Sequence, residues 1–140
     1  MVISMSNPDP RVVKVAHYNN HPSGIEAIEI CRYMSFNMGN CMKYLFRLQE
    51  KEGPYLNSQK CRWYVLDEEK ERQPLSRMKN PEGCVIVRKS MRSVLAGEPD
   101  ALVAQCMRYV YLADMTHDGY FFGKAHDHLN ELVSRYAPPY

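Results

Sequence analysis

The stretch Met38-Gly39-Asn40-Cys41-Met42-Lys43-Tyr44-Leu45-Phe46-Arg47-Leu48 decides the fold class. Its apolar residues Met38, Cys41, Met42, Leu45 and Leu48 recur at steps of three and four. That spacing stacks side chains on one face of an α-helix, with the basic residues falling elsewhere. A strand would need alternation, which is missing here. The pattern predicts a helix over about 38–51, stopped by Gly53-Pro54. Moving toward the N-terminus, Ile25, Ile28 and Cys31 keep helical spacing behind Ser23. Ser23 as N-cap and Glu26 as the acid of a capping box predict a first helix over about 24–35. Before it, residues 1–22 hold three prolines and read as an extended arm.

Moving toward the C-terminus, Asn57 or Ser58 caps a third predicted helix that runs to about Arg72, with Cys61, Val65 and Trp63 facing inward. A polar, proline-containing connection follows over 73–83. Cys84–Ala96 reads as a helix ended by Gly97, although Val85-Ile86-Val87 also suits a strand. Asp100 caps a helix that continues to about Met115 through Leu102, Val103, Cys106, Val110 and Leu112. The last predicted helix covers about 121–136 and stops at Pro138-Pro139. The expected architecture is all-α: one compact bundle of about five to six helices with an extended N-terminal arm. In that layout residues 1–22 form an arm and site loop, 17–72 a helical part carrying the candidate site, and 73–140 the C-terminal helical part of the same domain.

The chain has 140 residues, 45% of them hydrophobic and 24% charged, which suits one folded core and excludes a disordered or collagen-like chain. A formal charge of +2 is too small for a general nucleic-acid coat, so any basic site is local, and no specific nucleic-acid partner is expected. The five cysteines include no C-x-x-C pair, and no secretory signal pattern is visible. Reduced thiols, acting as small core hydrophobes in a host cytoplasm, are the expectation. No apolar run approaches the roughly 18 residues of a membrane span, so no membrane partner is expected.

On a helix, Asn40, Lys43, Tyr44 and Arg47 fall at steps of three, four and seven. An amide, an ammonium and a guanidinium on one stripe can grip phosphate, and Gly39 permits close backbone approach. The same stripe also fits a solvated basic face. Two pairs of acids one turn apart, Glu26 with Glu29 and Glu68 with Glu71, resemble the E-x-x-[ED] motifs with which all-α nucleotide pyrophosphatases of the MazG and dUTPase type bind metal. Glu26 is equally explained by capping, and Glu68 and Glu71 by a charged helix end. His117, His126 and His128 lie near Asp114, Asp118 and Asp127. On a helix 126 and 128 point about 200° apart, so no metal site is assigned to them. No P-loop, dinucleotide fingerprint or nucleophile elbow occurs.

Four pieces then share an order: His17-Tyr18 with His21-Pro22, Ile25-Glu26-Ala27-Ile28, Gly39-Asn40-x-x-Lys43-Tyr44-x-x-Arg47, and Lys60-Cys61-Arg62-Trp63-Tyr64-Val65. Over residues 17–66 they resemble a small bacteriophage domain of unknown function sometimes called SaV-like. Ser23-Gly24 stands as an insertion, and Cys61 occupies a position where that family usually has Ala. A phage nucleotide kinase that lacks a P-loop is similar to this domain. The resemblance implies phosphate transfer from a nucleoside triphosphate donor to a deoxynucleoside monophosphate, with or without Mg²⁺. It assigns His17, Lys43 and Arg47 to the chemistry. Asn40, Tyr18, Tyr44, Lys60 and Trp63 then serve substrate binding. Trp63 or Tyr64 is suited to stack on a base, or to fill the core. The 10 Tyr and 9 Met suit a subunit interface, so a homo-oligomer is expected. Two alternatives accompany this reading: a metal-dependent pyrophosphatase using Glu26, Glu29, Glu68 and Glu71, and a non-catalytic protein that binds nucleotide or a host protein.

Overall fold

The computed structural model describes residues 21–71 and 81–139, where every regular element is an α-helix. In chain order these are α1 (Ala27–Cys31), α2 (Phe36–Phe46), α3 (Pro54–Glu71), α4 (Pro81–Gly97), α5 (Ala101–Thr116) and α6 (Gly119–Tyr136). The all-α expectation therefore holds, and Val85-Ile86-Val87 lies inside α4 rather than in a strand. Residues 1–20, with the expected arm and the site positions His17 and Tyr18, lie outside the described residues, as do 72–80.

Local chemistry sets the helix starts. The Ser35 hydroxyl accepts from the Met38 N–H at 3.3 Å, which moves the start of α2 to Phe36, two residues earlier than the apolar pattern suggests. Asp100 accepts from the N–H groups of Leu102 and Val103 at 3.0 and 3.3 Å, and Asp118 from that of Tyr120 at 2.8 Å. At α1 the capping box sits one turn later than expected. Glu26 is the N-cap, and its N–H donates to the Glu29 carboxylate at 2.6 Å. Ser23 instead accepts from the Ile25 N–H at 3.1 Å, which leaves α1 a short helix of 5 residues.

Neither Asn57 nor Ser58 caps α3, which already begins at Pro54 behind the positive-φ turn at Gly53 (φ 93°). Asn57 is buried and turned backward, where its amide donates to the carbonyls of Leu48 and Glu50 at 3.0 and 2.9 Å. Those carbonyls belong to the turn that leaves α2, so one side chain joins the two helices.

α2, α3, α6 and α5 pack in a ring, each on the next, with α1 against α2 and α4, and α4 against α1 and α5. The shared core is filled by Met38, Met42 and Leu45 from α2, Cys61 and Val65 from α3, Met107 and Val110 from α5, and Leu129 and Leu132 from α6. Met34 and Met91 are buried as well. Methionine thus serves here as an adaptable core filler, and its abundance carries no argument for a subunit interface. Cys41, Cys61 and Cys106 are fully buried, and burial raises the Cys41 and Cys106 thiols well above their ordinary range. Gly39 lets α2 lie close to α1, since a Cβ there would come within 3.1 Å of the Cys31 carbonyl oxygen. No helix among the described residues is long and apolar enough to cross a membrane.

Candidate functional site

Because α2 and α3 are neighbours, the stripe on α2 meets the aromatic run on α3. The Tyr44 ring is the meeting point. Lys43 Nζ lies 5.4 Å from its centroid, the Arg47 guanidinium carbon 4.8 Å and Lys60 Nζ 5.3 Å. Three cations on one ring offset their mutual repulsion against its negative face, and Tyr44 thereby gathers positive charge from two helices. Glu52 pairs with Lys60, which raises the ammonium's pKa and lowers that of the carboxylate. Tyr64 stacks on Tyr44 with centroids 6.0 Å apart and planes 17° from parallel. Trp63 and Phe36 meet Tyr64 edge-on at 5.2 and 6.5 Å. Contrary to the inward placement read from the sequence, Trp63 is 59% exposed, and Phe36 is 80% exposed. Aromatic surface of this extent beside three cations is unusual for a face that only meets water.

The ladder of rings ends at a pocket of about 630 Å³ between α1, α2 and α3. Asn37, Asn40, Lys43 and Arg32 supply its polar wall, and Ile28, Met34 and Phe36 its apolar one. The Asn40 amide nitrogen donates to the Phe36 carbonyl at 2.8 Å, so the amide oxygen is the side chain's acceptor. Glu68 closes the pocket on the α3 side.

Glu68 is 1% exposed and stands against Asp114, 0% exposed, and His117 at the end of α5. One ligand atom from each lies within 4.8 Å of the other two. Glu68 Oε2 and His117 Nε2 are 3.6 Å apart. Two outer contacts orient the carboxylates: the Asn37 amide donates to Glu68 Oε1 at 3.3 Å, and the Ser35 N–H donates to Asp114 Oδ2 at 3.1 Å. The inward atoms Glu68 Oε2, Asp114 Oδ1 and His117 Nε2 are buried without a hydrogen-bond partner. Burial, with a smaller contribution from the neighbouring Glu68 charge, pushes the Asp114 carboxyl up to about 6.

Of the residues singled out by sequence, Asn40, Lys43, Tyr44, Arg47, Lys60 and Trp63 thus share the α2–α3 face. The four acids of the metal alternative do not converge. Glu26 and Glu29 cap α1, Glu71 is exposed, and Glu68 joins Asp114 and His117 instead. His126 pairs with Glu69 at 2.9 Å, and His128 stacks on Tyr109. His21 is held by Ser23 and Glu98 and lies 5.0 Å from the Phe46 ring, away from the pocket. The signal for Asp114 and His117 was their own spacing. Asp-x-x-His at the end of a helix puts both on one face, a relation hidden when all three C-terminal histidines are weighed together.

A family model described as a protein of unknown function, DUF3310, matches residues 12–66. The matched segment contains α1, α2 and most of α3, with the cationic and aromatic face but not Asp114 or His117. No curated protein and no solved structure matches the chain.

Proposed function

We propose that this chain binds a nucleotide on the α2–α3 face and acts as a nucleotide kinase that needs no P-loop. The observation that carries the reading is the convergence of Lys43, Arg47 and Lys60 on the Tyr44 ring beside a pocket walled by Asn37, Asn40 and Arg32. The reaction joins a phosphate oxygen of a deoxynucleoside monophosphate to the γ-phosphorus of a triphosphate, while the donor's β–γ bridge bond breaks. It leaves two diphosphates. Phosphoryl transfer asks a protein chiefly to align two phosphates and to spread the charge of the moving group. Lys43 and Arg47 supply that charge, and Asn40 offers an amide oxygen to a sugar or base. The exposed Trp63 ring, edge-on to Tyr64, offers a face for a base. His17 and Tyr18 belong to this reading through the sequence resemblance alone. A homo-oligomer is part of it too, since the exposed aromatics border a site open on one side.

One observation favours a second reading, hydrolysis of a nucleoside triphosphate to monophosphate and pyrophosphate. Glu68, one of the four acids of that alternative, is buried against two further ligand-type side chains at the pocket wall. A product assay separates the readings. Purified protein is incubated with each deoxynucleoside monophosphate plus a triphosphate donor, and with each triphosphate alone, with and without Mg²⁺. Two diphosphates from the pair indicate the kinase, and pyrophosphate from the triphosphate alone indicates the hydrolase. Nucleotide binding without either product reduces the protein to a binding module.

A further inference from the structure

We infer that Glu68, Asp114 and His117 form a binding site for one borderline divalent cation of the Zn²⁺ or Co²⁺ type. Two carboxylates lie in the interior within reach of one another, and among the described residues neither is ion-paired to a lysine or arginine. Buried like charges without a counter-charge are costly, and two such groups persist together when something positive resolves them. Within the cluster the one basic group is the His117 imidazole, itself partly buried. The orientation of the atoms points the same way. Each carboxylate has its outer oxygen held by a donor, Asn37 for Glu68 and Ser35 for Asp114, while the inner oxygens and His117 Nε2 face one another unpartnered. Outer hydrogen bonds that aim ligand atoms at a common point are the usual supporting shell of a metal centre.

The backbone contributes as well. His117 ends α5 in the left-handed conformation, φ 53°, with its N–H donating to the Ala113 carbonyl at 2.8 Å. That placement folds the imidazole back over the last turn, toward Asp114 and across to α3. Two carboxylate oxygens with one imidazole nitrogen favour a borderline ion over Ca²⁺ or Mg²⁺, which take all-oxygen shells. Three protein ligands leave coordination positions open, as in catalytic rather than structural sites. Glu68 lines the pocket that also holds Lys43 and Asn40, so an open position has a route to whatever enters there. The cation site does not depend on the nucleotide reading, because it rests on interior residues of α3 and α5.

Metal-stripped protein is titrated with Co²⁺ alone, followed by visible d–d absorption and by calorimetry. The expected result is one equivalent bound, with a ligand-field spectrum that Zn²⁺ abolishes by displacement and a tenfold excess of Mg²⁺ does not. Asp114→Asn and His117→Gly should each weaken binding at least a hundredfold, while Glu71→Gln leaves it unchanged. Glycine at 117 tolerates the left-handed backbone, and circular dichroism verifies that both variants fold. Absence of a Co²⁺ spectrum at millimolar metal overturns the proposal, as does binding that survives in either variant. The titration contains no nucleotide, so loss of kinase activity and loss of the metal site are read separately.

Discussion

Replacing Asp114 by Asn should stabilise the metal-free protein at neutral pH, an uncommon outcome for a substitution at a fully buried position. Burial first, and the charge of Glu68 after it, lift the carboxyl from its ordinary 3.8 to about 6. For an acid whose folded pKa is raised, the native state holds the proton more tightly than the unfolded chain does. The group therefore costs nothing below about pH 3.8. It costs more and more as pH rises from there to about 6, and a constant amount above. The gap between 3.8 and about 6, at about 1.4 kcal/mol per tenfold, amounts to a penalty of about 3 kcal/mol at pH 7. Asparagine removes the charge, and its amide oxygen can still accept the Ser35 N–H that Asp114 accepts at 3.1 Å. Its NH₂ group faces the unpartnered Glu68 Oε2, a ready acceptor. Allowing for imperfect amide placement, the expected gain is about 1–3 kcal/mol at pH 7, shrinking toward zero near pH 4. Urea denaturation with a chelator present, at several pH values between 4 and 8, measures it directly, since a chain of this size should unfold in one cooperative step. Equal or lower stability of the variant at pH 7 would refute the reasoning, because Asp114 would then be stabilising the fold as a charged group. Added Zn²⁺ should reverse the order, protecting the wild type alone.

Lys43→Ala and Arg47→Ala should each weaken nucleotide binding by roughly tenfold to a hundredfold with the fold intact, as calorimetry would report. Trp63 is the single tryptophan of the chain, so its fluorescence should change when a nucleotide stacks on it. Trp63→Ala should leave stability within about 0.5 kcal/mol while lowering affinity, and a large loss of stability would show that the ring is structural. Asn57→Ala should cost about 1–2 kcal/mol in denaturant unfolding, since it removes the amide donor from the buried Leu48 carbonyl, while the Glu50 carbonyl keeps the Gly53 N–H.

The helical class was legible in the sequence because an amphipathic helix writes its buried face at fixed spacing. Met38, Cys41, Met42 and Leu45 are all buried, as their steps of three and four require. The cap at Asp100 was legible for the same local reason, whereas α2 ends at Phe46, with Arg47 as a non-helical C-cap, and not at Gly53 as its pattern predicts. Asn57 was not legible, because its amide serves the end of the preceding helix rather than the start of its own, and cap statistics do not tell the two apart. For Trp63 the sequence leaves two placements open, in the core or on the surface against a base, and only the packing of α3 between α2 and α6 leaves that side to solvent. Asn40, Lys43 and Tyr44 lie within two turns of α2, so the sequence alone determined that these groups share a face, and Arg47 joins them from the C-cap. Glu68 is separated from Asp114 by 46 positions of chain, and no local period relates them. Their meeting with His117 was decided by the tertiary structure, in which α2 packs on both α3 and α5 and its Ser35 and Asn37 hold the two carboxylates toward one another.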